Sequence, residues 1–286
     1  MVSRSLIGAV AVMVALIAAN GGARAFDDAK YPDLHGQWLR ARPPAGVTGQ
    51  APFDPDKSWG LAQQAPLTPE YQKVLEASVA DQEAGGQGND TRVTCVSNGM
   101  PRLMSIVRPM EFFVYPWITL VVYENNIPRR IYTDGRDFPK DEDPTFAGYS
   151  IGTWIDTDKD GRYDELQIET RNLRGPRTYD STGIPFHEDG ETVIKERIYA
   201  DKANPNLLYD EITSYDHALT RPWTVTKKYV RNPDPKPLWR ETVCAEANPH
   251  VEIAKQGYMI SADGLLMPTR KDQPPPDLRY FKQPHK

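Results

Sequence analysis

The feature that most limits the fold is a change of period. From about residue 92, short runs rich in β-branched and aromatic residues follow one another, each closed by a turn. Residues 117–123 (WITLVVY) form the clearest run, and Ile131-Tyr132-Thr133 follows a turn at Asn125-Asn126. Residues 149–155, 166–170, 193–199, 207–215, 223–230 and 238–243 continue the series. In the 193–199 run, Val193, Lys195, Arg197 and Tyr199 share one face, and Ile194, Glu196 and Ile198 share the other, as a strand requires. Short strands spaced by turns predict a mainly β protein, an antiparallel barrel or sandwich, with a lipocalin-like barrel favoured. No strand–helix–strand rhythm is present, which argues against a doubly wound parallel sheet. The 26 prolines in 286 residues argue against a helical bundle or coiled coil, because an interior proline costs a helix about 3 kcal/mol.

Residues 1–25 read as a secretory signal. Arg4 supplies the positive start, residues 6–19 are apolar and uncharged, and Ala23-Arg24-Ala25 fits an A-x-A cleavage site that would leave Phe26 first. A membrane anchor is the alternative, but the apolar run is shorter than the roughly 20 residues of a comfortable span. No membrane span is expected after cleavage. Residues 26–90 form an irregular, proline-punctuated arm with one helix. Thr68 caps it, Pro69 occupies its first turn, and Tyr71, Val74, Leu75 and Val79 recur at helical spacing. Residues 91–266 make the β domain. Residues 267–286 make a tail marked by Pro274-Pro275-Pro276. Cys95 and Cys244 are the only cysteines. In a periplasmic or secreted chain they are expected to pair, with two buried free thiols as the alternative. A net charge of −5 gives no footprint for nucleic acid. The absence of a Walker loop or G-x-G-x-x-G leaves no indication of an organic cofactor.

One segment has the composition of an ion site. Residues 156–164 read D-x-D-x-D-G-x-x-D, with Lys159 and Arg162 the only local cations. Asp156, Asp158, Asp160 and Asp164 can supply side-chain oxygens to a hard cation, and Arg162 its carbonyl. An EF-hand would need flanking helices and a Glu at the twelfth position, where Gln167 stands. The spacing resembles the calcium hairpins of integrin-type and related β-propeller repeats, which implies a structural calcium on a strand–loop–strand. The alternative is a solvated hairpin tip turning at Asp160-Gly161.

Other chemistry is less localised. Gly148-Tyr149-Ser150-Ile151-Gly152 matches G-x-S-x-G, but no helix can follow it, so it reads as a strand whose glycines permit close packing. The five histidines form no tight metal spacing. An enzymatic reading would use His187 and Tyr149 as acid and base, with the Asp134/Arg136 turn as an anion clamp. Trp117, Tyr123, Trp154 and Trp223, with Arg197, are candidates to line a cleft for a small apolar or aromatic molecule, although core packing would use aromatics equally well.

Several phrases recur together: Asp33-Leu34-His35-Gly36-Gln37-Trp38, Gly99-Met100-Pro101-Arg102 after Cys95, residues 129–136 (RRIYTDGR), residues 148–154 (GYSIGTW), residues 221–225 (RPWTV) and residues 244–248 (CAEAN). Their order is similar to that in a large group of secreted bacterial β-rich proteins. The resemblance implies export and a β domain, and transfers no activity. Members often carry histidines where this chain has Phe138 and Tyr149. The reading that follows is a periplasmic or secreted β domain that binds a small apolar or aromatic molecule. The alternatives are a cofactor-independent lyase or hydrolase acting on a small aromatic molecule, and a structural or interaction domain.

Overall fold

A computed structural model describes residues 27–41, 54, 56–105, 108–240, 242–244, 249–253 and 256–276. The signal at 1–25 and the end of the tail, 277–286, lie outside the described residues. Nine strands close into a barrel in chain order: β1 (Gln37–Arg40), β2 (Met110–Tyr115), β3 (Ile118–Tyr123), β4 (Arg129–Tyr132), β5 (Tyr149–Ile155), β6 (Glu165–Arg171), β7 (Val193–Ala200), β8 (Leu207–Tyr215) and β9 (Trp223–Arg231). The expected mainly β barrel is therefore the fold. Closure removes the free sheet edges that an open sheet would expose.

Two features of the closure differ from the expectation. The N-terminal arm, expected to be irregular outside its helix, also contains a strand: the four residues of β1 pair with β2 on one side and β9 on the other, and this strand shuts the barrel. The sheet is also not wholly antiparallel. β4 and β5 run parallel, with Ile131 opposite Ser150 and Tyr132 opposite Ile151. The long connection through Asp134 and Phe138 returns the chain to the same end of the barrel, as a parallel neighbour requires. Gly152 serves the close approach here, since a Cβ on it would lie 2.7 Å from Cγ2 of Ile131.

Cross-strand partners share a face, so register defines the inner wall. Ser150 pairs with Thr170, Thr170 with Ile194, Ile194 with Ser214 and Ser214 with Trp223, and that parity points inward around the sheet. Trp38, Met110, Phe112, Val121, Ile131, Leu166, Ile168, Ile194, Ile198, Leu208 and Ile212 form one buried cluster on this wall. The 3-10 turn Arg102–Ser105 adds Leu103 and Met104 at the end where β2 begins. At the opposite end Leu34 joins the cluster, and Tyr31 packs edge-on to Trp154.

A second core roofs the end that holds the β8–β9 turn. Helix α1 (Trp59–Ala62) leads to helix α2 (Pro69–Glu83), whose cap Thr68 accepts from the Tyr71 N–H as expected. Leu75 and Val79 of α2 pack with Tyr179, Ile184, Phe186, Leu219 and Trp223. Cys95 and Cys244 are bonded, with Cα atoms 5.6 Å apart and 149 residues of separation. Strands β10 (His250–Ile253), β11 (Gln256–Ile260) and β12 (Leu266–Pro268) make a separate small sheet. The tail thus begins inside a strand. Residues 238–240, expected to begin a strand, are irregular; Leu238 is exposed there, after a stretch in which Pro233, Pro235 and Pro237 withhold ladder donors. Trp117 lies in the β2–β3 turn rather than in β3, which starts at Ile118.

Candidate functional site

The inner wall is not purely apolar. Arg129 of β4 is completely buried, and its guanidinium reaches Glu196 of β7 across the barrel interior. Nη1 donates to Oε1 at 2.9 Å and Nη2 to Oε2 at 2.5 Å, the paired geometry that a planar guanidinium offers a carboxylate. Nη2 also donates to Thr170 Oγ1 at 2.8 Å and Nε to Ser150 Oγ at 3.2 Å, while the two hydroxyls meet at 2.8 Å. Burial by itself would disfavour the Arg129 charge, but Glu196 reverses the balance and holds the proton on. Ser150 is therefore a mid-strand partner of Arg129, not an exposed nucleophile.

Beside this pair stands Asp210 of β8, also completely buried. Neither of its carboxyl oxygens has a hydrogen-bond partner. Burial, then the neighbouring Glu196 charge, raises its pKa well above the usual carboxylate range. Asp210 is thus a buried carboxyl group whose charged form the surroundings disfavour. Directly across the ladder from it, Lys227 of β9 shares the inward parity. Two tyrosines complete the group: Tyr123 donates to Met104 Sδ at 3.2 Å, and Tyr229 donates to the Met104 carbonyl at 2.5 Å. Both hydroxyls thus end on Met104.

The residues singled out from sequence are dispersed. Asp134, Arg136 and Tyr149 do come together on the outside: Arg136 pairs with Asp134 at 2.6 Å, donates to Tyr149 Oη at 3.3 Å and lies over the Tyr132 ring at 3.9 Å. The Arg136 bond holds the Asp134 carboxyl below its usual range. His187 belongs to a different group. It meets Asp189 at 3.0 Å, packs 5.7 Å from the Tyr71 ring of α2, and lies 5.8 Å from His217, which also pairs with Asp189. Among the described residues no hydrogen bond, ion pair or ring contact joins the two groups. Of the cleft candidates, Tyr123 and Trp154 face the interior, Trp223 packs on Tyr179 in the second core, and Trp117 is exposed at its turn. Arg197 lies on the outer face between Glu165 and Glu211, beside a surface hollow of about 470 Å³ that Phe138, Glu169 and Lys195 also line.

The aspartate loop is the β5–β6 hairpin. Asp156, Asp158 and Asp160 each place a carboxylate oxygen within 4.8 Å of the others. Asp164 is turned inward to the hairpin, accepting from the Thr157 N–H at 2.8 Å and pairing with Lys202 at 3.1 Å. Lys202 also holds Asp158 at 2.7 Å. Gly161 supplies the left-handed backbone of the turn, at φ +93°.

Sequence reasoning noted Glu196 but passed over Arg129, Asp210 and Lys227. A signal was present. In the 207–215 run (LLYDEITSY), Asp210 falls on the same parity as Leu208 and Ile212, so a charge interrupts the apolar face. Among the described residues no helix is long and apolar enough to cross a membrane. Compared with family models, curated proteins and solved structures, the chain matches none.

Proposed function

We propose that the barrel is an exported binding module for a small molecule with an apolar body, held on the inner wall with Asp210 as its polar contact. The observation that carries this reading is the Asp210 carboxyl, buried with both oxygens unbonded. Such a group costs the fold about 1–3 kcal/mol when it stays unpaired, and a bound polar ligand is one way to offset that cost. A ligand bearing a hydrogen-bond donor would satisfy it, and the apolar side chains around it suit the rest of a small molecule. The Cys95–Cys244 bond supports an oxidising, periplasmic or extracellular location. The lyase or hydrolase reading would draw on His187 with Tyr149 and Arg136, which stand in separate groups.

A small-molecule screen by thermal shift on the wild type and on Asp210→Leu tests the proposal. Compounds that raise the wild-type Tm should leave the variant unmoved. Equal shifts in both proteins would refute the role of Asp210, and a screen without any hit would favour the structural or interaction role.

The convergence of Asp156, Asp158 and Asp160 supports a second, independent proposal, a structural calcium on the hairpin. Calcium should raise Tm and EDTA should lower it again. An unchanged Tm in both would leave the loop as a solvated turn.

A further inference from the structure

The loop before β7 and the β8–β9 turn bring two of the five histidines to one carboxylate. His187 Nδ1 lies 3.0 Å from Asp189 Oδ2, and His217 Nδ1 contacts that same oxygen from the turn, 28 positions further on. Asp216 fixes both backbones. Its Oδ1 accepts from the His187 N–H at 2.9 Å and from the Ala218 N–H at 2.8 Å, so one carboxylate sets where the two ligand-bearing segments stand. The His187 contact lacks a proton. The Asp189 N–H donates to His187 Nδ1 at 3.1 Å, which uses the lone pair of that atom and leaves it no hydrogen to give Oδ2. Two electron-rich atoms therefore face each other. A cation that takes the lone pair in place of the amide proton turns this repulsion into shared coordination. Asp216, Glu188 and Glu191 add negative charge around the cluster, against the Arg177 guanidinium, whose Nη2 is committed to the His187 carbonyl and Thr192.

We propose that His187, His217 and Asp189 bind a zinc-type divalent transition-metal ion, with water completing its coordination. Imidazole nitrogen suits such an ion, and three protein ligands with one open position recur in zinc sites. A hard cation such as calcium takes oxygen ligands instead and has no use for the two rings. The three ligand atoms are not drawn into one shell: among the described residues only Asp156, Asp158 and Asp160 bring three such atoms within 4.8 Å of one another. His187 and His217 stand on either side of Oδ2, and closing the shell takes a rotation of the His217 side chain, which is 69% exposed. The bound ion would tie the loop before β7 to the β8–β9 turn, beside Tyr71 of α2. This site is separate from the barrel interior and does not depend on what the interior binds.

Equilibrium dialysis of the full chain against micromolar zinc chloride at neutral pH tests this, with calcium in excess to occupy the aspartate hairpin and bound zinc counted by atomic absorption. The wild type should retain an equivalent of zinc. His187→Gln and His217→Gln should each weaken retention at least about tenfold, since loss of even an outer partner of a metal ligand costs about 10–100-fold. Asp158→Asn, in the hairpin, should leave retention unchanged. Should His187→Gln fail to fold by circular dichroism, His217→Gln, at its exposed turn, decides alone. A wild type that retains no zinc overturns the proposal. Zinc that survives either histidine substitution undiminished overturns it too, as does zinc that is lost in Asp158→Asn, which places the ion in the hairpin.

Discussion

Glu196 and Arg197 are neighbours in the chain, and each makes an ion pair, but they point to opposite sides of β7. The Glu196 side chain is fully buried against Arg129, whereas the Arg197 side chain is 51% exposed between Glu165 and Glu211. The chemistry is the same and the medium differs. Outside, water screens the Arg197–Glu211 attraction, and such pairs contribute about 0–1 kcal/mol, whereas Glu165, tucked under the Arg197 side chain, is itself buried. Inside, each charge has lost several kcal/mol of hydration, so the pair is justified only while both partners and their hydroxyl neighbours stay in place. The same split separates Asp210, whose pKa burial raises, from Asp158 on the exposed hairpin, whose pKa the Lys202 bond lowers. Position across the sheet, more than residue type, determines what a charge does here.

The sharpest way to break this comparison is Arg129→Met. It strands Glu196 in the interior, and urea unfolding should show a loss of about 3–5 kcal/mol, most of it recovered by adding Glu196→Met. A loss under about 1 kcal/mol would mean that the inner wall is as well hydrated as the outer one. Asp210→Leu should act in the opposite direction and stabilise the empty protein by about 1–3 kcal/mol. Its advantage has a defined pH dependence. Because the folded pKa of Asp210 is raised, the wild type loses stability as pH climbs from the ordinary carboxylate range towards that folded value. The gain should therefore be small in acid and grow with pH, as stability curves at several pH values would reveal. Arg197→Met should cost about 1–3 kcal/mol, less than Arg129→Met, because it leaves the buried Glu165 carboxylate with Gln167 as its remaining side-chain partner. The smallest effect belongs to His217, exposed and paired with Asp189, whose pKa is raised by that bond. Its contribution is full below the ordinary imidazole pKa and is lost as pH rises through the folded value, so His217→Gln should flatten the Tm profile only in that window.

Much of the barrel was legible because period two is a local signal. The 193–199 alternation predicted the faces of β7 correctly, and the burial of Ile194, Glu196 and Ile198 follows it. The helix at Pro69–Glu83 was legible from its cap and spacing. β1 was not, since four residues carry too little periodicity to stand out from an irregular arm. The parallel β4–β5 pair was not, because strand direction depends on where a long connection travels. The candidate site was the least legible part. Arg129 and Glu196 are 67 positions apart and meet only because the barrel closes. His187 and Tyr149, which suggested an acid–base pair in the sequence, were carried to different groups by the same closure.

What the chain alone determined is what neighbouring residues decide between themselves: alternation, turns and helix caps, together with two cysteines in number suited to one bond. These depend on backbone sterics and on the burial preference of each side chain. Which strand completes the barrel, which charges share the dry interior and which residues face Asp210 were decided only in three dimensions. Those contacts join residues far apart in sequence, and their strength depends on the exclusion of water, a property of the closed barrel and not of any segment of it.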